Sequence, residues 1–323
     1  MTLRRLVVTL VLCGFAAVCS AQESYPTRQV RLIVPTNAGG VPDTLARLLA
    51  QKLAAHFNRP FVVENRPGAA NLIGSDYVAK APADGYTLLI GTSQVFGILP
   101  AMHPKMPFDA VKDFVPILRM TDSPHLIVVP VSMPVNNIPE FVKYVAARPG
   151  QLSYGSSGVG SSHHLIMEAL AMQSGGLKMI HVPFKGSQDN LAALLGGNLN
   201  ISVIAVSSSI QQIKAGKIKA LGVSTARRST LAPDIVPIAE QGLPGFDLSN
   251  TTGLLAPAGT PRAIVSLLEA ASLVAIKSAD MMQSLEKLGF ELAILGSDDY
   301  AKAIRADLDA YGKVIRSANV KME

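Results

Sequence analysis

The sequence predicts an α/β protein of two lobes, each a largely parallel sheet covered by helices, with a ligand cleft between them. Apolar runs and amphipathic stretches alternate between Val30 and Ile90, and the same alternation returns between Leu126 and Val223. This rhythm is typical of parallel sheets. The part of the chain from Leu254 onwards has a more helical pattern, and we expect it to pack back onto the first lobe. Two crossings between lobes would make a hinge that closes on a ligand.

The N-terminal segment predicts a secretory signal peptide, residues 1–21. Two arginines precede an apolar run and a small-residue end, Cys19-Ser20-Ala21, after which we expect cleavage. A lipoprotein signal with Cys19 as the acylated residue is an alternative. A retained membrane anchor is disfavoured, because the apolar run is shorter than the ~20 residues that cross a bilayer. We therefore expect the protein to lie outside the cytoplasm.

Composition argues against several classes of function. Removal of the signal peptide takes away both cysteines, so the remaining 302 of the 323 residues hold no thiol nucleophile, disulfide or thiolate metal ligand. The 27 basic and 23 acidic residues that remain give a net charge of +4, without the basic run that indicates nucleic acid binding. Tryptophan is absent and aromatic residues are few, which leaves little to stack on bases or sugars.

The first strand and the turn after it form the first candidate site. Residues 30–34 are apolar except for Arg31, and Gly39 with Gly40 permits a tight turn before a helix that starts near Pro42. The free amides and dipole of a helix N-terminus favour a carboxylate or phosphate there; a tight turn without a ligand is the alternative. We interpret Asp43 as structural, because its carboxylate would compete with a bound anion.

Polar residues also follow later strands, at the edge where such sheets bind ligands. Thr92 and Ser93 follow the third predicted strand, Phe184 follows a strand of the second lobe, and Ser207 ends another. Lys185 is a possible anion contact, although a solvated lysine needs no role. We expect Phe184 to form cleft wall and Ser207 to be a ligand contact.

Residues 153–165, S-Y-G-S-S-G-V-G-S-S-H-H-L, predict a strand, a glycine loop and a helix start. Hydroxyl and backbone N–H groups in such a loop can bind an oxyanion, with Ser161 or Ser162 as the helix cap. The loop is not a phosphate-binding P-loop, because Ser161 stands where that motif requires lysine. Its glycine spacing also fails to match a dinucleotide fingerprint, so nucleotide chemistry is not expected.

The same loop carries no recognisable catalytic motif. Neither G-x-S-x-G nor H-E-x-x-H occurs in the sequence. His163 and His164 are adjacent and would point to different sides of a helix, so they cannot share one metal ion. Packing and helix-start polarity are the alternatives to a ligand role for either histidine. We expect no enzymatic activity, no metal and no cofactor.

Short motifs that resemble a known family run through nearly the whole chain after the signal peptide. They are Tyr25-Pro26 with Val30 to Asp43, Glu64 to Ala69, Asp84 to Leu89, Lys112 to Phe114, Pro149 to Tyr154, the serine-glycine loop with His164-Leu165, His181 to Gly186, Pro244-Gly245, and Ala256 to Pro261. In combination they resemble the Bug-type periplasmic solute receptors of tripartite tricarboxylate transporters, the Bordetella uptake gene family. The resemblance implies a type II periplasmic binding protein fold, two α/β lobes joined by a two-crossing hinge.

The resemblance also implies a binding site for a small organic carboxylate. In the family, the opening turn and the serine-glycine loop hold one carboxylate, largely through backbone groups and bridging waters. The residues that we expect to bind the ligand are Thr36, Asn37, Ala38, Gly39, Gly40, Thr92, Ser93, Ser156, Ser157, Gly158, Gly160, Ser161, His164, Phe184 and Ser207. The family's turn commonly reads P-F-A-P-G-G-G-x-D and is less polar than this one, and Thr251 replaces a usual tryptophan. The identity of the acid therefore does not carry over.

Domain limits and partners complete the prediction. We expect residues 22–123 with about 229–323 to form lobe 1 and residues 124–228 to form lobe 2. The resemblance implies a monomeric receptor that delivers a small carboxylated solute to a membrane permease of the tripartite tricarboxylate type, without nucleic acid. A sensory protein that presents its loaded form to a signalling partner, and an extracytoplasmic enzyme on the same scaffold, are the alternatives.

Overall fold

The computed structural model describes residues 25–39, 41–103 and 105–321, so the predicted signal peptide and Gly40 of the opening turn lie outside the described residues. The strands are β1 Val30–Val34, β2 Phe61–Asn65, β3 Thr87–Thr92, β4 Phe114–Ser123, β5 His125–Pro130, β6 Ser153–Ser156, β7 Ile180–Pro183, β8 Ile201–Ala205, β9 Ile218–Val223, β10 Asn250–Pro257 and β11 Glu291–Gly296. The α-helices are α1 Val41–Phe57, α2 Leu72–Ala79, α3 Leu99–Met102, α4 Ile138–Ala146, α5 Ser162–Gln173, α6 Ser187–Leu195, α7 Val206–Lys214, α8 Arg262–Ile276, α9 Ala279–Leu288 and α10 Ser297–Ser317.

These strands form two separate sheets. The first has the order β11-β4-β10-β3-β1-β2, and the second has the order β7-β6-β8-β5-β9. Within the first, β1 pairs in parallel with β2 and β3, while β10 runs antiparallel between β3 and β4. Within the second, β6 is parallel to β7 and β8, and β5 is antiparallel to β8 and β9. The predicted two-lobe α/β class is confirmed. The expectation that each sheet is largely parallel is wrong: both sheets are mixed, because the strands next to the crossings between lobes run antiparallel to their neighbours.

The chain passes from one sheet to the other at two places. Pro124 alone separates β4 from β5, and the chain returns between β9 and β10. Before that return, Ile238 and Phe246 are buried in the same apolar cluster as residues of β5 and β6. The second sheet is therefore formed within one continuous segment, and the first sheet from segments on either side of it.

The long helix α10 also connects the two lobes. Its residues Tyr311, Val314 and Ile315 are buried in the cluster that contains the core of the second sheet, while the Tyr311 hydroxyl donates a 3.0 Å hydrogen bond to the Ser249 carbonyl. Tyr300, one turn inside the same helix, belongs to a cluster of the first lobe. The helix thus packs across both lobes beside the strand crossings.

Strands β4 and β11 have no counterpart in the sequence prediction. In β4, Pro116 and Arg119 interrupt an otherwise apolar run, and Arg119 is tolerated because its guanidinium pairs with Asp122. Strand β11 is a partly exposed edge strand. Across the described part of the chain, no helix has the length and apolar character required to cross a membrane.

Candidate functional site

A cleft of about 390 Å³ lies between the two sheets, where β1, β3, β6 and β8 end. Its polar walls consist of Thr36, Asn71, Thr92, Gln94, Ser123, His125, Ser157, Ser161, Ser162, His163, Ser187, Ser207, Ser208, Asn250 and Thr252. The other lining residues are Pro42, Ala205, Leu288 and Phe290. Among the described residues, no aspartate, glutamate, lysine or arginine lines this cleft. Any charge on a ligand must therefore be met by dipoles.

The helices contribute their N-terminal ends to this cleft. Lining residues come from the first turns of α1, α5, α6 and α7, for example Pro42, Ser162, Ser187 and Ser207. Each of these turns carries amide groups without a helical partner and the positive end of a helix dipole. Four such ends around one cavity favour an anion more strongly than any single one of them.

The structure brings together part of the expected ligand-binding set. Thr36 and Thr92 from the first lobe, and Ser157, Ser161 and Ser207 from the second, all line the cleft. The hydroxyls of Thr36 and Thr92 are buried and have no hydrogen-bond partner in the protein. These five residues form facing walls.

The remaining expected residues lie around the cleft rather than on its lining. Asn37, Ala38 and Gly39 are exposed on the opening turn next to Thr36, and Gly40 lies outside the described residues. Ser93 is buried behind the wall, where its hydroxyl donates to Asn250 Oδ1 at 3.0 Å.

In the second lobe, five more expected residues lie behind the lining or beside it. Gly158 donates its amide to Ser156 Oγ at 3.1 Å, and Gly160 is buried. Phe184 packs beside the apolar cluster of β5 and β8. The side chains of Ser156 and His164 point into the loop itself and hold it together.

The opening turn is held from behind by Asp43. This carboxylate is 2% exposed and accepts hydrogen bonds from Gly39 N at 2.8 Å, Asn65 Nδ2 at 2.9 Å and Arg47 Nε at 3.0 Å. Burial alone would raise the pKa of Asp43, but the bonds from Arg47, Gly39 and Asn65 outweigh it and hold that pKa below its usual value. Since the Gly39 amide is occupied by the carboxylate, Asp43 has the structural role interpreted from the sequence.

The serine-glycine loop is held by bonds among its own residues. Ser161 is the N-cap of α5: its hydroxyl accepts from the His164 amide at 3.3 Å and donates to the Gly158 carbonyl at 2.7 Å. The Ser156 hydroxyl is hydrogen-bonded to His181 Nε2 at 2.7 Å. The Gly160 amide donates to His164 Nδ1 at 3.1 Å. Protein groups alone therefore supply the hydrogen bonds that hold this wall.

The histidines of the second lobe are neutral. The His164 and His181 rings stack 3.9 Å apart, and burial followed by repulsion from His181 lowers the pKa of His164 to about 4. Burial likewise lowers the pKa of His163 to about 4. Their imidazoles thus act as hydrogen-bonding groups, without charge, at neutral pH.

His125 was missed by the sequence reasoning, and His163 was weighed there without being expected in the site. The two rings meet edge to face on the cleft lining, with centroids 4.5 Å apart. Asn250 and Thr252 on β10 also line the cleft and were missed. A strand that directly follows a crossing between the two sheets runs past the cleft. The position of His125 directly after Pro124 could therefore have indicated that His125 lines the cleft.

The two lobes touch at the cleft mouth. A Cβ placed on Gly289, which follows α9, would lie 1.9 Å from the Ser207 Cβ at the start of α7. Beside it, Leu288 and Phe290 line the cleft. Among the described residues, no group of three histidine, cysteine, aspartate or glutamate side chains is placed to hold a metal ion.

Comparison with known sequences identifies relatives along nearly the whole chain. Residues 45–320 match the family TctC, described as the tripartite tricarboxylate transporter family receptor. Protein BugT of Bordetella pertussis is 30% identical over 318 residues, which cover 98% of this chain and 97% of BugT. The similarity therefore includes both lobes.

Solved structures resemble this fold closely. A TctC solute binding protein from Polaromonas, solved without ligand, has a TM-score of 0.84 at 26% identity over 91% of this chain and 100% of its own. A protein of R. palustris solved with adipate has a TM-score of 0.74 at 34% identity over 92% and 99% of the two chains. MatC from Rhodopseudomonas palustris with bound malate has a TM-score of 0.70 at 30% identity over 90% and 100%.

Proposed function

This chain belongs to the TctC family of tripartite tricarboxylate transporter receptors, and from that premise we propose that it captures a small organic carboxylate in the cleft between its lobes. Family membership confirms the resemblance drawn from the sequence motifs. The chain is a solute-binding receptor of this family, and the two-lobe architecture is the one its solved relatives share. The class of ligand is the proposed part.

The observation that carries the proposal is the convergence of four helix N-termini on an uncharged cleft. Lining residues come from the first turns of α1, α5, α6 and α7, while the described lining contains no cationic side chain. Helix dipoles and free amides bind anions without a paired cation. The unpartnered hydroxyls of Thr36 and Thr92 supply further donors on the first lobe.

The relatives support a carboxylate as the anion. The R. palustris protein was solved with adipate and MatC with malate, and both are dicarboxylates. A carboxylate can accept hydrogen bonds from several hydroxyl and amide donors at once, which suits a wall built of serines, threonines and backbone N–H groups. We therefore place the first carboxylate of the ligand among the helix N-termini.

The biological setting follows from the same proposal. Residues 1–21 would direct export to the periplasm and then be removed. The loaded, closed form would deliver its solute to a membrane permease of the tripartite tricarboxylate type. The receptor would act as a monomer and without catalysis. A pull-down with the permease would test the partnership, and capture of a receptor kinase instead would favour the sensory alternative.

A thermal-shift screen tests the ligand class. Mono-, di- and tricarboxylates are compared with the corresponding uncharged amides at one pH and ionic strength. A ligand that binds only the native state raises stability by about 2.7 kcal/mol at a hundredfold excess over Kd. We expect at least one carboxylate to raise Tm while its fully amidated analogue does not. A shift with uncharged solutes alone would exclude the carboxylate site.

A matched pair of variants locates the site in the same screen. Ser207→Asp adds a carboxylate to the first turn of α7, on the cleft lining, and should weaken carboxylate binding by more than tenfold through charge repulsion. Ser132→Asp adds the same charge at an exposed position beyond the opposite end of β5 and should leave binding unchanged. Equal effects of the two changes would show that the anion does not bind among these helix ends.

A further inference from the structure

Two histidines lie side by side on the cleft lining, next to the helix N-termini at which we place the first carboxylate. His125 is the first residue of β5, and His163 lies in the first turn of α5. Their rings meet edge to face with centroids 4.5 Å apart, and the residues are only 2% and 7% exposed. This pair, His125 with His163, belongs to the second lobe and faces the first lobe across the cleft.

Each ring has a buried nitrogen without a partner. His163 Nδ1 is hydrogen-bonded to the Ser157 hydroxyl, but His163 Nε2 has no hydrogen-bond partner, and neither does His125 Nδ1. Buried polar atoms in folded proteins are nearly always paired. Because both residues line the cleft, a ligand in the cleft is well placed to supply the missing partners.

The pair is uncharged at neutral pH. Burial, and then repulsion from His163, lowers the pKa of His125 well below its ordinary value, although the Ser123 carbonyl opposes this; burial lowers the pKa of His163 to about 4. The groups that face the pair from the first lobe, among them Thr36, Thr92 and Asn250, are uncharged, as is Ser207 on α7.

A neutral imidazole has one N–H donor and one nitrogen lone pair. The Ser157 hydroxyl can rotate to donate or accept, so the tautomer of His163 can adjust to what it meets. When one of the two unpartnered nitrogens carries its proton and the other does not, the pair offers a donor and an acceptor together. An ionised carboxylate only accepts, so it would set its lone pairs against a nitrogen lone pair. A group that both donates and accepts fits this surface better.

We propose that the His125–His163 pair contacts a second group of the ligand, next to its first carboxylate, and selects there a group that both donates and accepts hydrogen bonds. Such groups are a hydroxyl, a carboxamide, or a carboxyl that retains its proton. The inference rests on the proposed function, because it assumes that a first carboxylate is held at the helix N-termini. A dicarboxylate then binds with a proton taken from solvent.

Isothermal titration of the wild-type protein with matched acids tests the selection. The six-carbon series is hexanoate, 6-hydroxyhexanoate, adipamate and adipate, and the four-carbon series is butyrate, 4-hydroxybutyrate, succinamate and succinate. In the series that fits the cleft, we expect the hydroxy acid and the monoamide to bind at least tenfold tighter than the unsubstituted acid. At pH 7.5, in two buffers of different ionisation enthalpy, the dicarboxylate should take up about one proton and the monoamide none.

Variants assign this selection to the pair. His163→Phe and His125→Phe keep an aromatic ring at the contact and remove its nitrogens, and each should reduce the preference for the monoamide to less than threefold. His56→Phe, on the exposed end of α1 remote from the cleft, is the matched control and should keep the full preference. Two variants are used because one of them suffices for the test if the other fails to fold.

The outcomes separate this inference from the proposed function. Tight binding of the dicarboxylate without proton uptake, or equal binding of the monoamide and the unsubstituted acid, would overturn the role of the pair while leaving the carboxylate receptor intact. Failure of every acid in both series, together with failure of the wider carboxylate screen, would overturn the proposed function itself. An unchanged preference in a folded His163→Phe or His125→Phe protein would also refute the assignment.

Discussion

The two walls of the cleft are built on opposite electrostatic principles. The first-lobe wall is an exposed turn, held from behind by the ionised carboxylate of Asp43. The second-lobe wall is a half-buried loop whose serines bond to neutral imidazoles, among them His163 and His181. The first wall thus requires the Asp43 carboxylate to be charged, and the second requires its imidazoles to remain uncharged. Neither wall places a cationic side chain on the described part of the lining, so the anion that we propose would be held by dipoles.

The two requirements respond differently to acid. The pKa of Asp43 lies below its usual value, so the first wall keeps its charge through mildly acidic conditions. The pKa of His163 lies near 4, whereas a histidine in an unfolded chain has a pKa of about 6.5. Between these two pH values the unfolded chain binds a proton at this histidine that the native protein does not. Acid should therefore weaken the second wall first.

The largest expected effect is this loss of stability in acid. Because the unfolded state binds more protons between pH 6.5 and pH 4, the free energy of unfolding falls as the pH is lowered through that window. The lowering of the His163 pKa is equivalent to about 3 kcal/mol of unfolding free energy.

His163→Gln should make the pH dependence of the unfolding free energy shallower by a comparable amount, measured by urea unfolding at several pH values. His56→Gln, at an exposed position, is the control. An unchanged slope in His163→Gln would remove the contrast between the walls.

A smaller effect is expected from the first wall. Asp43→Ala removes the acceptor for Gly39, Arg47 and Asn65 and should lower the free energy of unfolding by about 2 kcal/mol at pH 7, since hydrogen bonds to charged groups contribute about 1.5–3 kcal/mol. Ligand affinity should fall as well, because the turn loses its support.

The control for this change is another aspartate that pairs with an arginine. Asp298 forms an exposed ion pair with Arg262, and such pairs contribute about 0–1 kcal/mol. Asp298→Ala should therefore have the smaller effect in the same denaturation experiment. Equal losses in the two variants would mean that the opening turn does not depend on its buried carboxylate.

The sequence predicted the strand-turn-helix units of both walls, because their signals are local. An apolar run, glycines and a helix start lie within a few residues of each other at β1 and at β6. The same logic placed Thr92 and Ser157 correctly at strand ends. It also placed Ser93 and Ser156 in the cleft, whereas both are buried and bonded behind it, because neighbouring residues at a strand end face opposite ways.

Other parts of the cleft depend on contacts between distant segments, which no local pattern encodes. His125 meets His163 because β5 follows the crossing at Pro124 and lies next to β8 in the second sheet. Asn250 and Thr252 reach the cleft because β10 inserts between β3 and β4. Residue spacing and hydrophobic periodicity therefore could not predict that His125 contacts His163.

The smallest expected effect concerns the place where the two walls meet. Gly289 and Gly245 have nearly the same left-handed backbone, with φ of +76° and +79°, so a side chain strains both equally. A Cβ on Gly289 would collide with Ser207 across the cleft mouth, whereas one on Gly245 would have nothing within 4 Å.

Gly289→Ala should therefore hold the lobes apart and weaken carboxylate binding about tenfold, or ~1.4 kcal/mol, while Gly245→Ala should not. Calorimetric titration of both proteins with the tightest acid of the screen measures the difference. Because the two variants carry the same backbone strain, a loss confined to Gly289→Ala would show that the walls must close on each other to bind. Equal affinities would mean that each wall acts on the ligand without full closure.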